Sequence, residues 1–424
     1  MNARLFAVII AMIVACVPQV MVKVPYAPEQ AKSTDFLALL ALPVVLLMCR
    51  YRGYAKRIAL VSLLAVGFAV TVMSLRMLLD DNRHLYLLDT PQLGRLFSIH
   101  VPLFLVAAMP LDRKWLTRCL IVFGTLAVAV TLIIATLYHF GSTAFDAHQT
   151  FQRDGGELFH RLGGLQGETG AFAFNATVGI QILLAGLAMA GRKRLFWIGL
   201  WCVLPVYLAF IYHESLVRVS VLNTLVFFAF SVLGVNHSAA KSRFAMRGFV
   251  LLGAMLVLLL SVTEYPILDV EIERANMDGN LNQLSSGRVA HWIAGIEQTF
   301  DSPTYAIFGM GYRAPEFVLG HPVENFFVFH LATYGLLGSA LFFALYGVLA
   351  WPTVRSALRG DFASGIFTAM MLAVVMQWQV NDVNLYYQTF PVLLFFSAWF
   401  ASINWQENAS RESGSTVVAK TADV

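Results

Sequence analysis

The 424-residue chain is 58% hydrophobic and 13% charged, with a mean hydropathy of +0.69, which excludes a soluble globular protein of this size. Its net charge of +4 is small, follows from the placement of basic loops between apolar runs, and gives no indication of nucleic-acid binding. The class that remains is an all-α, polytopic integral membrane protein.

A bilayer core about 30 Å thick requires about 20 mostly apolar residues per spanning helix. Twelve stretches approach that length: 4–22, 34–49, 57–75, 95–111, 115–138, 170–190, 195–211, 219–235, 244–262, 325–350, 362–380 and 385–403. The first follows Arg4, and Ile13-Val14-Ala15-Cys16 within it resembles a lipoprotein cleavage box, so a processed N-terminus stands beside a first span as a reading. The loops after spans 2, 4, 6, 8 and 10 are basic, with Arg50, Arg52, Lys56 and Arg57, then Arg113, Lys114 and Arg118, then Arg192, Lys193 and Arg194, then Lys241, Arg243 and Arg247, then Arg355 and Arg359. Positive charge stays in the cytoplasm, so both termini are expected there. The loops 139–169, 212–218 and 263–323 then face outward. The last is the one large periplasmic loop, holding eight Asp or Glu against three Arg. Residues 1–403 read as a single transmembrane domain that includes this loop, and 404–424 as a disordered cytoplasmic tail.

Cys16, Cys49, Cys119 and Cys202 all lie in or at the ends of spans, a distribution that suggests neither a disulfide nor a metal site. Asn175 and Asn408 match glycosylation sequons, one inside a span and the other in the tail, and are chance matches.

The helix that opens near Glu324 concentrates the chemistry. At about 100° per residue, Glu324, Leu331, Gly335 and Gly338 share one stripe, and small residues there let a neighbouring helix approach closely. A second reading puts Pro322 at the first helical position and Glu324 at the third, where a carboxylate complements the helix dipole. His330, on another face and deeper, suits hydrogen-bonded packing better than catalysis.

Arginines gather on the same expected side. Arg288 begins SGRVAHWIAGIEQTF, in which Val289, Trp292, Ile293, Ile296 and Phe300 recur at helical spacing, predicting a helix on the membrane surface. His291 projects from an adjacent position. Arg161 lies in HRLGG before span 6 and Arg218 at the start of span 8; snorkelling is the alternative reading of Arg218. Outward arginines beside a carboxylate suit a lipid diphosphate, because guanidinium binds phosphate oxygens bidentately and keeps its charge. Sugar transfer from such a lipid develops negative charge on the departing diphosphate, which fixed cations stabilise. The outer loops show no DxD-like cluster and no His/Cys ligand spacing, so metal-independent chemistry without a cofactor is expected.

The order R(L)GG at 161–164, an arginine at 218, SGR-x3-W at 286–292, FGMGY at 308–312 and N-x9-GxxG at 325–338 resembles the bacterial O-antigen ligase and Wzy-type polymerase superfamily. The resemblance covers about 161 to 338 and agrees with a twelve-span layout. It implies an inverting, metal-independent glycosyltransferase that uses undecaprenyl-diphosphate-linked glycans, with Arg218 and Arg288 holding the diphosphate and Arg161 assisting. It also implies acceptor or glycan contacts among His321, Asn325, His291, Trp292 and Tyr312. Ligases carry a histidine directly before the Asn or Ser of N-x9-GxxG. This chain has Glu324 there and His321 three residues earlier, so the polymerase branch fits better. Glu324 serves as general base if burial lifts its pKa from about 4.3, and His321 does so if the loop slips. The expected partners are the lipid-linked glycan, membrane lipids, and a chain-length regulator and flippase of the same pathway. Two alternatives stand: a ligase moving the finished glycan to lipid A core or protein, and a transporter or flippase. Against transport, CRYRGYAKR lacks the GxxxD-R-x-G pattern of the major facilitator group, and the spans hold few ionisable residues.

Overall fold

The computed structural model describes residues 21–23, 30–32, 45, 53–79, 90–147, 151–152, 158–159, 161–164, 169–215, 217–234, 288–311, 323, 325–378 and 389–422. These are nearly all helical. In chain order they form β1 (Met21–Lys23), β2 (Gln30–Lys32), α1 (Gly53–Leu79), α2 (Thr90–Leu105), α3 (Arg113–His139), β3 (Phe151–Gln152), β4 (Leu158–Phe159) and α4 (Thr169–Met189). There follow α5 (Lys193–Ser215, with a π-turn at Gly199–Val203), α6 (Arg218–Gly234), α7 (Arg288–Phe300), α8 (Pro303–Phe308), α9 (Phe326–Leu358), α10 (Phe362–Trp378) and α11 (Thr389–Ala422). The strands make two small antiparallel hairpins, β1 with β2 and β3 with β4.

Among the described residues, five helices are long and apolar enough to cross a membrane: Gly53–Leu75, Arg113–His139, Thr169–Met189, Lys193–Ser215 and Phe326–Leu358. Shorter apolar helices cover Ile99–Ala108, Ser220–Val232 and Phe362–Gln377. The protein is therefore a helical membrane protein. The expected spans 34–49 and 244–262 and most of 4–22, with the Cys16 cleavage box, lie outside the described residues, apart from residue 45 and the β1 positions 21–22.

Helix α4 is apolar on every side and buried almost throughout, which marks it as the central helix of the bundle. It packs against α3 along a seam of small residues. A Cβ on Gly124 would lie 2.6 Å from the Leu183 backbone nitrogen, and one on Gly179 would lie 2.8 Å from Ala127 Cβ. Without a hydrophobic drive between helices in lipid, such close backbone approach supplies the van der Waals contact that holds them together. A chain of amides ties α4 to α6 and α10: Gln181 Nε2 donates to Asn223 Oδ1 at 2.6 Å, and Asn223 Nδ2 to Gln377 Oε1 at 2.7 Å. The sequon residues Asn175 and Asn408 are buried and hydrogen-bonded, the first to Thr389 and the second to Arg359 and Ser356. Cys119 is a buried free thiol and Cys202 an exposed one. Leu60, Leu63, Leu64, Ile133 and Leu137 are exposed on α1 and α3, as expected of faces turned to lipid.

One end of the bundle is closed by an ionic node. Arg113, at the start of α3, donates from Nε to Glu407 Oε1 (2.7 Å), from Nη1 and Nη2 to the two Asp361 oxygens (3.3 Å each), and from Nη2 to Asn404 (3.0 Å). Asp361 also accepts from the Ser364 backbone N–H at 3.0 Å, which caps α10. Nearby, Tyr54 donates to the Val348 carbonyl and Arg57 lies 4.7 Å over the Trp405 ring. Glu407, Asn404, Asn408 and Trp405 belong to the segment expected to be a disordered tail. Instead α11 runs on past residue 403, because this first polar stretch supplies the partners that Arg113 and Arg359 require.

Burial alone would raise the Asp361 carboxyl, but hydrogen bonds from Ser364 and Arg113, with the guanidinium charge, hold it below its ordinary 3.8. A carboxyl depressed in the folded state contributes stability that is complete above the unfolded pKa and is lost as the pH falls through the lower folded value. Thermal melts of the detergent-purified protein should therefore show wild type weakening below about pH 4. Asp361→Asn should start about 1–3 kcal/mol less stable at neutral pH and lose less on acidification. Parallel losses in both proteins would remove Asp361 as the acid-sensitive group.

Candidate functional site

Antiparallel packing sorts the chemistry to the opposite end. The start of α3 lies at the Arg113 node, so the end of α3 at His139 lies away from it. The end of α5 joins the end of α3, since His139 Nδ1 and His213 Nδ1 each lie 2.9 Å from Glu214 Oε1. The start of α9 is placed differently: the chain folds back at Gly335, and Phe326 lies 5.7 Å from Tyr346 and Phe327 5.5 Å from Phe343 between ring centroids, so Asn325 sits beside the second half of its own helix.

Arg161 lies in this region and is half-buried. Its Nε donates to the Ser215 carbonyl at 3.1 Å, and its own carbonyl accepts from Ala147 N at 2.8 Å. Leu162 N donates to the Glu214 carbonyl at 3.0 Å. The segment 161–163 is thus laid across the last turn of α5. Arg218 opens α6 three residues beyond Ser215, within about 11 Å by chain reach. Two of the arginines expected to act together therefore share one junction.

Arg288 opens α7, and its side chain is half-buried, as are His291 and Trp292. The face of α7 that carries Gly295 and Thr299 is buried. A Cβ on Gly295 would sit 3.3 Å from Val323 and 3.2 Å from Val328, so α7 lies directly against the start of α9. Ile293, Ile296 and Phe300 remain exposed on α7, in keeping with the expected amphipathic helix at the membrane surface. Glu324, His321 and Tyr312 lie outside the described residues.

Two readings of the α9 entry are corrected. The helix starts at Phe326 with Asn325 as its N-cap, whose side-chain oxygen accepts from Phe327 N (2.9 Å) and Val328 N (3.1 Å). Glu324 therefore precedes the helix, and neither it nor Pro322 occupies the first turn. The Asn325 side-chain oxygen is committed to the cap rather than presented to a glycan. The stripe from Glu324 through Leu331, Gly335 and Gly338 presumed an unbroken helix. At Gly335 the backbone turns to φ 65°, ψ −172°, a region essentially restricted to glycine. This break resets the helical phase.

The break is filled from the long loop. Helix α8 ends at Gly309, φ 80°, and the next residues enter the gap: Met310 N donates to the Ala332 carbonyl at 2.7 Å, and Gly311 N to the Thr333 carbonyl at 3.1 Å. Those carbonyls have lost their own helical partners, and non-helical backbone at this depth survives only where protein supplies substitutes. FGMGY and GxxG, far apart in sequence, thus form one joint. His330 lies just before it, buried, with Nδ1 2.9 Å from the Phe326 carbonyl and its ring among Phe326, Tyr334 and Phe342, the packing role its position suggested. Phe308 meets Phe68 of α1 at 6.4 Å between ring centroids. Trp292 Nε1 and Thr333 Oγ1 are buried without a hydrogen-bond partner among the described residues.

The sequence reading missed the His139–His213–Glu214 cluster and the break itself. The cluster joins residues about 75 apart in sequence, and the only local trace was polar HES at the end of an apolar run. A signal for the break existed in the glycine-rich FGMGY and in GxxG, but nothing in either motif names the other.

No family model matches the chain, and no curated protein matches it. What the fold defines is the class, a helical polytopic membrane protein whose α9 is interrupted and plugged by its own preceding loop.

The joint predicts that Gly335→Ala is severe. A Cβ there would collide with the Gly309 nitrogen and the Ile307 carbonyl, and the backbone conformation alone costs a non-glycine residue about 1–3 kcal/mol. Purified yield and melting temperature should both fall clearly, whereas Asn325→Ala should cost only about 1 kcal/mol through the lost cap. Equal stability for Gly335→Ala and wild type would show that the joint does not hold α9.

Proposed function

We propose that this protein is an inner-membrane glycosyltransferase that polymerises undecaprenyl-diphosphate-linked oligosaccharide repeat units into an O-antigen or exopolysaccharide at the periplasmic face. In this reading it has about twelve spans, both termini in the cytoplasm, and the Arg113 node at the cytoplasmic end. The observation that carries the reading is the gathering of Arg161 with the α5–α6 junction at the end of the bundle away from that node, together with the packing of α7, which Arg288 opens, against the start of α9. An interrupted helix beside these groups adds support, since broken helices accompany substrate sites in membrane proteins.

The chemistry is a displacement at the anomeric carbon. The hydroxyl of an incoming lipid-linked unit attacks it, a new glycosidic C–O bond forms, and the bond to the diphosphate breaks with inversion. Glu324 takes the hydroxyl proton, or His321 does. Arg218 and Arg288, assisted by Arg161, bind the diphosphate and stabilise the charge it acquires on leaving. His291, Trp292 and Tyr312 offer sugar stacking and hydrogen bonding. The lipid acceptor and donor are both drawn from the membrane, which suits the exposed apolar residues of α7 as a headgroup-level platform.

A ligase would use the same donor and the same arginines; Glu324 in place of the ligase histidine favours the polymerase. A transporter would favour ionisable groups deep in the spans, and the buried polar residues that link α4, α6 and α10 are uncharged amides. In a deletion strain, wild type should restore a glycan ladder on gels, and Arg288→Ala should reach the membrane at normal level yet restore single repeat units only, a loss of at least about a hundredfold in polymer. Normal-length polymer from Arg288→Ala would sink the assignment. Long chains stranded on the lipid carrier in the deletion strain would identify a ligase instead.

A further inference from the structure

The ends of α3 and α5 bring together three metal-binding side chains that the proposed glycosyl transfer does not use. Donor atoms of His139, His213 and Glu214 all lie within 4.8 Å of one another, and both imidazole Nδ1 atoms converge on the same carboxylate oxygen at 2.9 Å. The Glu214 side chain is only 6% exposed and that of His139 is 52% exposed, so one ligand is fixed in the protein and another opens to solvent. The backbone reinforces the carboxylate: the Glu214 carbonyl accepts from Leu162 N, and the adjacent Ser215 carbonyl accepts from Arg161 Nε. The His139 ring is held edge-on by Phe140 and Phe210 at centroid distances of 5.6 and 6.0 Å.

The electrostatics favour a cation. Glu214 supplies a carboxylate, and α3 and α5 both terminate here, each contributing the partial negative charge of a helix C-terminus. Two imidazoles and one carboxylate with an open position form a donor set suited to zinc. Tetrahedral zinc bonds of about 2.0–2.2 Å set neighbouring donors about 3.4 Å apart. The ion is accommodated when the two 2.9 Å contacts to Glu214 open by about half an ångström and donors now up to 4.8 Å apart draw together to the same spacing. Metal binding through Nδ1 leaves each neutral ring with its one proton on Nε2, and a ring that is charged beforehand releases one proton to solvent.

We propose that His139, His213 and Glu214 form a zinc site that staples the end of α3 to the end of α5. Through Leu162 and Ser215 the same staple fixes the 161–163 segment. The site is a structural clip, and it stands whether or not the glycosyltransferase reading does.

The test uses the full chain purified in detergent, stripped with chelator and titrated with zinc chloride alone. Elemental analysis after gel filtration should give about one zinc per chain, with a higher melting temperature in zinc than in chelator. Cobalt in its place should give the visible bands of a four-coordinate ion. His139→Ala, at a half-exposed position that does not endanger folding, should weaken zinc binding at least about tenfold and abolish the melting shift, as should His213→Ala. Stripped wild-type protein that takes up no zinc would overturn the proposal, leaving the imidazoles as hydrogen-bond donors to a buried carboxylate. Equal zinc uptake by His139→Ala and wild type would overturn it too.

Discussion

Within hydrocarbon every backbone N–H and C=O must find its partner inside the protein, and the organisation of this molecule around α9 follows from how it meets that demand. Gly335 takes the chain out of the helical region and strands the carbonyls of Ala332 and Thr333. The N–H groups of Met310 and Gly311 reach them from the preceding loop. The break therefore cannot exist without the loop, nor the loop be so deeply seated without the break. Once 309–311 is anchored, α8 and α7 are drawn onto the first half of α9, and Gly295 fits against Val323 and Val328. Residues 288–311 of the long loop thus become part of the wall of the bundle.

The two ends of the bundle are built on different principles. At the Arg113 end, a single guanidinium is shared among Asp361, Glu407 and Asn404, a closed arrangement in which most donors are used within the protein. At the other end, polar groups gather at helix termini: Arg161 lies across the end of α5, and His139 closes α3 beside Glu214. One end is locked by a shared guanidinium, and the other keeps the His139 ring half open to solvent.

Much of the architecture was legible because hydrophobicity over about 20 residues reports directly on bilayer thickness. The helices α1, α3, α4, α5 and α9 coincide with stretches chosen by composition alone, and the surface helix α7 was readable from the spacing of Val289, Trp292, Ile293, Ile296 and Phe300. The amphipathic period survives because only one face of α7 is covered. What stayed hidden depends on contacts between distant segments. Gly335 in a small-residue stripe looks the same in sequence whether it packs a seam or breaks a helix; the difference is set by Gly309, twenty-six residues earlier. The start of α9 was misjudged by a few residues because Pro322 is a strong local signal, yet Asn325 supplies the better cap. Glu407 and Asn408 looked like a solvated tail, since no local pattern reveals that Arg113 and Arg359 await them.

That last pairing bears on how the protein is made. Arg113 is made well before its neutralising carboxylates, which lie 248 and 294 residues further along the chain at Asp361 and Glu407. Through most of translation a cation at the mouth of α3 has only headgroups and water for company, and the bundle end cannot close until α11 has been threaded and its polar extension released. Helix α11 thus latches this end of the bundle, and Arg113 reaches its full set of partners only once Asn404 and Glu407 have been made.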